Sequence, residues 1–525
     1  MSMNRKARMG VAVAVAVAIL AANHVRHRQA PPAVSTPASA STAALDTPVK
    51  PAPPATWKLG SLTLHACELG QPDSGRTSAA WCAPFDVPEN RADPQGRHIT
   101  LKLAVVRAEA EVPAKDMLVF LAGGPGQAAT ENAGAAIAAL GPLLGHRNLL
   151  LLDQRGTGGS NPLSCKDESK PATPDEDVDN DPAKLKAEIQ RCLAQVEKKA
   201  DPRFYTTTVA AQDLEDVRKA LGAPAFDLVG VSYGTRMAQQ YLMHYPDAVR
   251  SVVLDGVVPN QLVLGEDFAR NLDDALKAQF ARCTADPACK KRFGDPYQTL
   301  YQLRDALRAN PHVVSFRDPQ SYQTVQRRLS EFSLASVVRM FAYTPPTAAL
   351  LPLSIDAAAH GDVGPLLGQA KLLSGDLADT MNGGMQSSVI CSEDADLFTP
   401  RPQDKDTILG TRMIDALTTV CSVWPHGTRP KDFHDPLKSD KPVLLMSGQY
   451  DPVTPPRYGD EVLKGLSDGR HLIAPGQGHN VINAGCMPKL VKRFVEDLQP
   501  KTLDASCLKR LQPTPMFIDF NGATP

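Results

Sequence analysis

Short apolar runs recur along the chain, each ending in a glycine-rich or polar turn. They are Leu118–Leu121 before Ala122-Gly123-Gly124-Pro125-Gly126, Leu149–Leu152 before Asp153-Gln154-Arg155-Gly156, and Leu228–Val231 before Ser232. Val252–Leu254 before Asp255-Gly256 and Val443–Met446 before Ser447-Gly448 complete the set. Leu/Val runs of this length predict strands buried on both faces, as in a parallel sheet. Helical periodicity lies between them. After Thr208, residues Ala210, Leu214, Val217 and Leu221 form one apolar face, with Gly222 as a stop. After Ser232, residues Met237, Ala238, Tyr241, Leu242 and Tyr245 form another, ended by Pro246. Strands alternating with helices predict an α/β fold, a mostly parallel sheet flanked by helices. The alternation lapses over 260–438, where Asp267–Cys283 and Tyr297–Leu307 read as helices. That stretch predicts a mostly helical insertion, a lid, and strand signals resume at Val443.

The N-terminus follows other rules. Arg5, Lys6 and Arg8 precede Met9–Ala22, where every residue is apolar or Gly. Such a run is too short to span a bilayer, which takes about 20 residues. A basic start and a short apolar stretch read as a secretory signal over 1–28. His24, Arg26, His27 and Arg28 disfavour cleavage, so an uncleaved anchor is the alternative reading. Residues 29–56, rich in Pro, Ala, Ser and Thr, predict an extended linker. The remaining boundaries are a first core part at 57–259, the insertion at 260–438, a second core part at 439–510 and a tail at 511–525.

Export changes the meaning of the cysteines. There are ten, and in an oxidising compartment they pair. Successive neighbours each close a short loop, predicting Cys67–Cys82, Cys165–Cys192, Cys283–Cys289, Cys391–Cys421 and Cys486–Cys507. The spacing of zinc knuckles is missing, so no metal is expected. The acidic stretch Asp175-Glu176-Asp177, with Asp179 and Asp181, has Asn180 and Lys186 where a calcium loop needs Gly and Glu, and reads as a solvated loop. The formal net charge of the 525 residues is −1, which disfavours a nucleic-acid partner. No cofactor is expected. Nothing in the sequence sets the oligomeric state.

The chemistry concentrates at Gly230-Val231-Ser232-Tyr233-Gly234, between a buried-strand run and a helical pattern. That context is what a nucleophile elbow requires: a sharp strand-to-helix turn that lifts the Ser232 hydroxyl clear of the sheet. A serine needs a base. Among twelve histidines, His479 stands in a glycine-rich loop just after the apolar pair Leu472-Ile473. The acid that orients it should follow the preceding strand, where Asp451 lies, with Asp460 and Asp255 as weaker rivals. The oxyanion needs two backbone donors. Tyr233, just after the nucleophile, and Gly124, in the glycine-rich loop after Leu121, are the expected pair.

Together these motifs resemble the α/β-hydrolase peptidases that include proline iminopeptidases and secreted tripeptidyl aminopeptidases. The matching segments are Gly123–Gly126, Asp153-Gln154-Arg155-Gly156-Thr157-Gly158-Gly159-Ser160, Gly230–Thr235, Asp451–Pro455 and Gly476–His479. They span roughly residues 100 to 485. Ala122 departs from the His that iminopeptidases usually carry there. The exported, cysteine-rich character looks closer to the tripeptidyl type. The resemblance implies an α/β-hydrolase fold, peptide substrates and a Ser232–Asp451–His479 triad working through an acyl-enzyme. Ser392-Glu393-Asp394 resembles the acidic segment beside a cysteine in the exported peptidases. It implies Glu393, with Asp394 second, as the anchor for a substrate's free amine. An esterase or amidase of the same fold uses the same triad and is the alternative. A non-catalytic scaffold is the third reading.

Overall fold

The computed structural model describes residues 56–70, 77–164, 181–319, 321–519 and 521–523, the side chains of 372–379 excepted. The signal or anchor, nearly all of the linker, Cys165 and the acidic stretch Asp175–Asp179 lie outside these residues. Asp181 lies inside them, and its side chain accepts from the amides of Ala183 and Lys184 to cap the helix Pro182–Val196.

Among the described residues, ten strands form one sheet, in the order β1-β2-β3-β4-β6-β5-β7-β8-β11-β12. The parallel part is β5 (Met117–Leu121), β6 (Leu149–Leu152), β7 (Phe226–Val231), β8 (Val249–Asp255), β11 (Val443–Gly448) and β12 (Gly469–Ala474). Every residue of β5, β6, β7 and β11 is buried. Alternate side chains of a strand point to opposite faces. Val119, Leu121, Leu150, Leu152 and Leu228 thus join the core on one face. Leu118, Phe120, Leu149, Leu151 and Val229 join the core on the other. Burying each such side chain contributes about 1.5–3 kcal/mol, which is why these runs carried their strand signal so clearly.

Four antiparallel strands extend the sheet: β1 (Thr56–Leu59), β2 (Leu62–Leu69), β3 (Ser78–Pro88) and β4 (His98–Val106). The sequence reading did not anticipate them. Buried and exposed positions are mixed along β2 and β3, and β4 runs continuously apolar only over its last four residues, Leu103–Val106, so these strands give a weaker signal than a strand buried on both faces throughout.

The expected helices are present. Thr207–Leu221 is capped by the Thr206 hydroxyl and stopped by Gly222 at φ 68°. Tyr233–His244 follows Ser232 directly and gives way to a short turn at Pro246. Between β8 and β11 the described elements are helices with one exception, the hairpin of β9 (His312–Arg317) and β10 (Thr324–Leu329). This segment has a core of its own, including Leu276, Phe280, Leu300, Leu334 and Ile355. Residues Met516–Ile518 pack against the inserted segment. Met516 and Ile518 join Cys283, Cys289 and Leu353, and Phe517 N donates to Ala349 O at 3.0 Å.

Four of the five expected disulfides are present: Cys67–Cys82, Cys283–Cys289, Cys391–Cys421 and Cys486–Cys507. Cys192 is also disulfide-bonded, and its expected partner is the residue outside the described set.

Candidate active site

Strand order decides where chemistry can gather. β5 continues to β6 on one side, while β7 lies on the other. Loops leaving the carboxyl ends of β5 and β7 therefore diverge and leave a crevice at this switch point. The loop after β5 is Ala122–Gly126, and the residue after β7 is Ser232.

Ser232 sits at φ 56°, ψ −125°, a conformation that L-residues avoid. Its neighbours permit the turn. A Cβ on Gly234 would collide with the backbone oxygen of Leu121, and one on Gly230 with the backbone of Gly234. The turn holds Ser232 beside the β5 loop, where a Cβ added to Gly123 would lie 3.1 Å from the Ser232 Cβ. Gly124, at φ +106°, takes a conformation that side chains rarely adopt. Among the described residues, the amides of Gly124 and Tyr233 donate to no protein acceptor. Tyr233 opens its helix, where backbone N–H groups lack internal partners and favour negative charge.

His479 and Asp451 meet as expected. His479 Nδ1 lies 2.8 Å from Asp451 Oδ2. Asp451 also accepts from the amides of Val453 and Thr454 and from the Thr454 hydroxyl, each at 2.8 Å. Burial pushes the Asp451 carboxyl up, but His479 and these donors outweigh it and hold it below the usual carboxylate range. Burial pushes His479 down, while the charge and hydrogen bond of Asp451 prevail and raise it. With Nδ1 turned to the carboxylate, Nε2 is the nitrogen left to take a proton. The His479 amide donates to Tyr343 O at 2.7 Å, and the Tyr343 ring stands edge-on to the imidazole at 5.3 Å.

The rival acids have other partners. Asp255 accepts from the amides of Val481 and Ile482 at 2.9 Å, and burial pushes it up to about 6. Its backbone oxygen accepts from the Ser232 amide at 2.8 Å. The end of β8 thus holds the nucleophile turn and the histidine loop together. Asp460 pairs with His471 at 2.8 Å.

Glu393 and Asp394 are placed otherwise than expected. Both are fully buried. Glu393 accepts from the Thr207 amide at 2.6 Å and the Thr207 hydroxyl at 2.9 Å. The same hydroxyl lies 2.6 Å from the Tyr233 phenol. Asp394 pairs with Arg236 at 2.9 Å, in a cage that includes His434. Burial pushes Glu393 up to about 8, so it is largely a neutral acid at neutral pH. An anchor for a protonated amine needs an accessible, charged carboxylate, and these two side chains instead brace the helix behind Ser232. The expected amine-anchor role did not take account of these partners, Thr207 and Arg236, which lie far along the chain.

Other supporting groups had no sequence signal of their own. Asn382 donates to Gly126 O through both its amide, at 3.0 Å, and its side chain, at 2.9 Å. Thr207 and Tyr343 act as above. The Asp153 block proves to be scaffold. Asp153 accepts from the Thr130 amide at 2.8 Å, the Thr130 hydroxyl at 2.9 Å and the Gly159 amide at 3.0 Å. Arg155 is fully buried and forks onto Asp213 at 2.6 and 2.7 Å.

A family model described as alpha/beta hydrolase fold matches residues 116–482. The chain belongs to this family. This alpha/beta hydrolase is a serine hydrolase, with relatives of several names. It is 26% identical over 473 residues to serine protease Hip1 of Mycobacterium tuberculosis, covering 82% of this chain and 87% of that one. It is 26% identical over 475 residues to carboxylesterase B of the same organism, covering 84% and 89%. A shorter match, 31% over 193 residues, relates 34% of this chain to 35% of the tripeptidyl aminopeptidase of Streptomyces lividans.

Proposed function

We propose that this hydrolase is an exported serine exopeptidase that releases residues from peptide N-termini through an acyl-enzyme. The observation that carries the reading is the buried Asp451–His479 pair at 2.8 Å, joined through the end of β8 to the Ser232 turn. His479 Nε2 takes the Ser232 proton as the hydroxyl oxygen attacks the scissile carbonyl. The negative charge that forms on the carbonyl oxygen meets the amides of Gly124 and Tyr233. The proton then passes from His479 to the leaving amine as the C–N bond breaks. Water, deprotonated by the same nitrogen, releases the acyl group and restores Ser232.

Peptide substrates are favoured by the names of Hip1 and the tripeptidyl aminopeptidase, and by the shared segments around Gly123, Asp153 and Gly476. Export is favoured by the N-terminal sequence and by the disulfides, which persist in oxidising compartments. Similarity over 84% of the chain to a carboxylesterase keeps an esterase as the second reading. A panel of aminoacyl, dipeptidyl and tripeptidyl chromogenic amides, run beside short acyl esters, decides between them. Exopeptidase action predicts turnover of free-amine peptides that Ser232→Ala reduces by several orders of magnitude. Turnover of esters alone would establish the second reading. Unlabelled protein after treatment with a fluorophosphonate would remove both.

A further inference from the structure

The inserted segment encloses a cavity of about 410 Å³. One wall is the helix Glu331–Phe341, and the lining across from it is shared by the helix Gly383–Glu393, through Gln386 and Ile390, and the helix Arg412–Cys421, through Arg412, Met413, Ala416 and Leu417. Two of these helices connect to the loops of the candidate site. The first leads to Tyr343, whose carbonyl oxygen holds the His479 amide. The second begins at Asn382, which holds Gly126 in the β5 loop. The lining of the cavity is thus tied, through these two helices, to the histidine loop and to the oxyanion loop.

The lining is apolar where it is roomy: Phe268, Phe332, Met340, Ile390, Met413 and Leu417. Most of these side chains are only partly buried, so they present apolar surface to an occupant. Its charges are unbalanced. Glu331 is the one carboxylate among the described lining residues, and it is held by both Arg308 and Arg412. Arg339 pairs with no carboxylate among the described residues. Its guanidinium lies over the Phe268 ring at 4.6 Å and touches the Met413 sulfur at 3.2 Å. Its charge acts against protonation of His479, which places it within electrostatic reach of the base. A guanidinium stacked on an aromatic ring keeps its planar fork fixed, the arrangement suited to a carboxylate. Three arginines and one glutamate also repel a protonated amine.

We propose that this cavity is a substrate subsite that binds an apolar peptide segment bearing a carboxylate, with Arg339 as the residue that selects the carboxylate. This rests on the peptidase reading above. The carboxylate belongs either to the C-terminus of a short peptide or to an acidic side chain.

The test compares kcat/KM for matched pairs: a peptide acid against its C-terminal amide, and a Glu-containing peptide against its Gln counterpart. The subsite predicts that the wild-type enzyme prefers the carboxylate member of at least one pair by about tenfold, the scale of one charged hydrogen bond. The pair that shows the preference identifies the carboxylate. Arg339→Gln should erase the preference and Arg339→Lys should retain part of it. Because the readout is a ratio, changes common to both members cancel. No preference in the wild-type enzyme, or an equal one in Arg339→Gln, overturns the proposal. The same ratio is read on an ester of a dicarboxylic acid half-amide and on that of its free acid. An Arg339-dependent preference there, with no peptide turnover, would sink the peptidase reading while leaving the subsite standing.

Discussion

At the scale of single residues, the state of His479 governs the chemistry. Only a neutral imidazole can accept the Ser232 proton. Asp451 holds the His479 pKa above its ordinary value of about 6.5. The acid limb of kcat/KM should therefore lie at higher pH than for a free histidine. In Asp451→Asn the opposing effect of burial is no longer offset, so the limb should move to lower pH. Turnover should also fall by about three to four orders of magnitude, since the amide no longer fixes the Nδ1 proton. A pH–rate profile and kcat of the variant measure both. A limb that stays in place would mean that another acid sets the imidazole. His479 and Asp451 could be read from sequence because each follows a strand run in a short polar loop. Sequence already ranked Asp451 above Asp255, and the structure supplies the contact to His479 that explains the ranking. Both acids are buried and both follow buried strands, and only the path of the loop decides which reaches Nδ1.

At the scale of elements, the helix Gly383–Glu393 brings Glu393 against the N-terminus of Thr207–Leu221. Burial raises this carboxyl from the usual carboxylate range to about 8. The folded protein therefore holds a proton there that the unfolded chain has released above about pH 4.3. The sign follows: the contribution to stability is full below about pH 4.3 and is lost as pH rises towards 8. Glu393→Gln keeps an acceptor for the Thr207 amide and removes the titration. Its urea midpoint should fall less between pH 5 and 8 than that of the wild-type protein. Parallel curves for the two proteins would show that Glu393 does not titrate in that window. The disulfide Cys391–Cys421 was marked by sequence, whereas the helix Gly383–Glu393 was covered only by the expectation of a mostly helical insertion. The surroundings of Glu393 were not, because Thr207 lies far away in the chain and no local pattern announces it.

At the scale of the whole molecule, Arg155 binds separate parts of the fold into one body. It donates to Glu89 O at 2.8 Å just beyond β3, to Phe204 O at 2.9 Å, and to Asp213 in the helix Thr207–Leu221. The antiparallel strands and the parallel sheet thus share one buried ion pair. Arg155→Met removes one partner and leaves the Asp213 charge with Arg91 alone. The cost should be about 3 kcal/mol, the scale of a broken buried pair, measured as a lower urea midpoint. Activity per folded molecule should persist, because Arg155 reaches no group of the candidate site. Selective loss of turnover at full stability would contradict this scaffold role. The resemblance drew attention to the Asp153 block, yet its residues join loops rather than touch the candidate nucleophile.

What the sequence determined is what depends on neighbours in the chain. Buried parallel strands declare themselves as short Leu/Val runs because both faces must be apolar. The elbow declares itself because five consecutive residues must make one tight turn, with glycines where side chains would collide. Cysteine neighbours closing short loops were legible for the same reason. Features that depend on distant partners became visible in the folded molecule alone. Strands β1–β4 and the hairpin β9–β10 interleave polar with apolar positions instead of running apolar from end to end, and they form because another strand supplies their hydrogen bonds. The roles of Glu393, Asp394, Arg155 and Arg339 follow from whether an opposite charge or donor is brought within reach. Sequence states the charge of each, and packing alone states its partner.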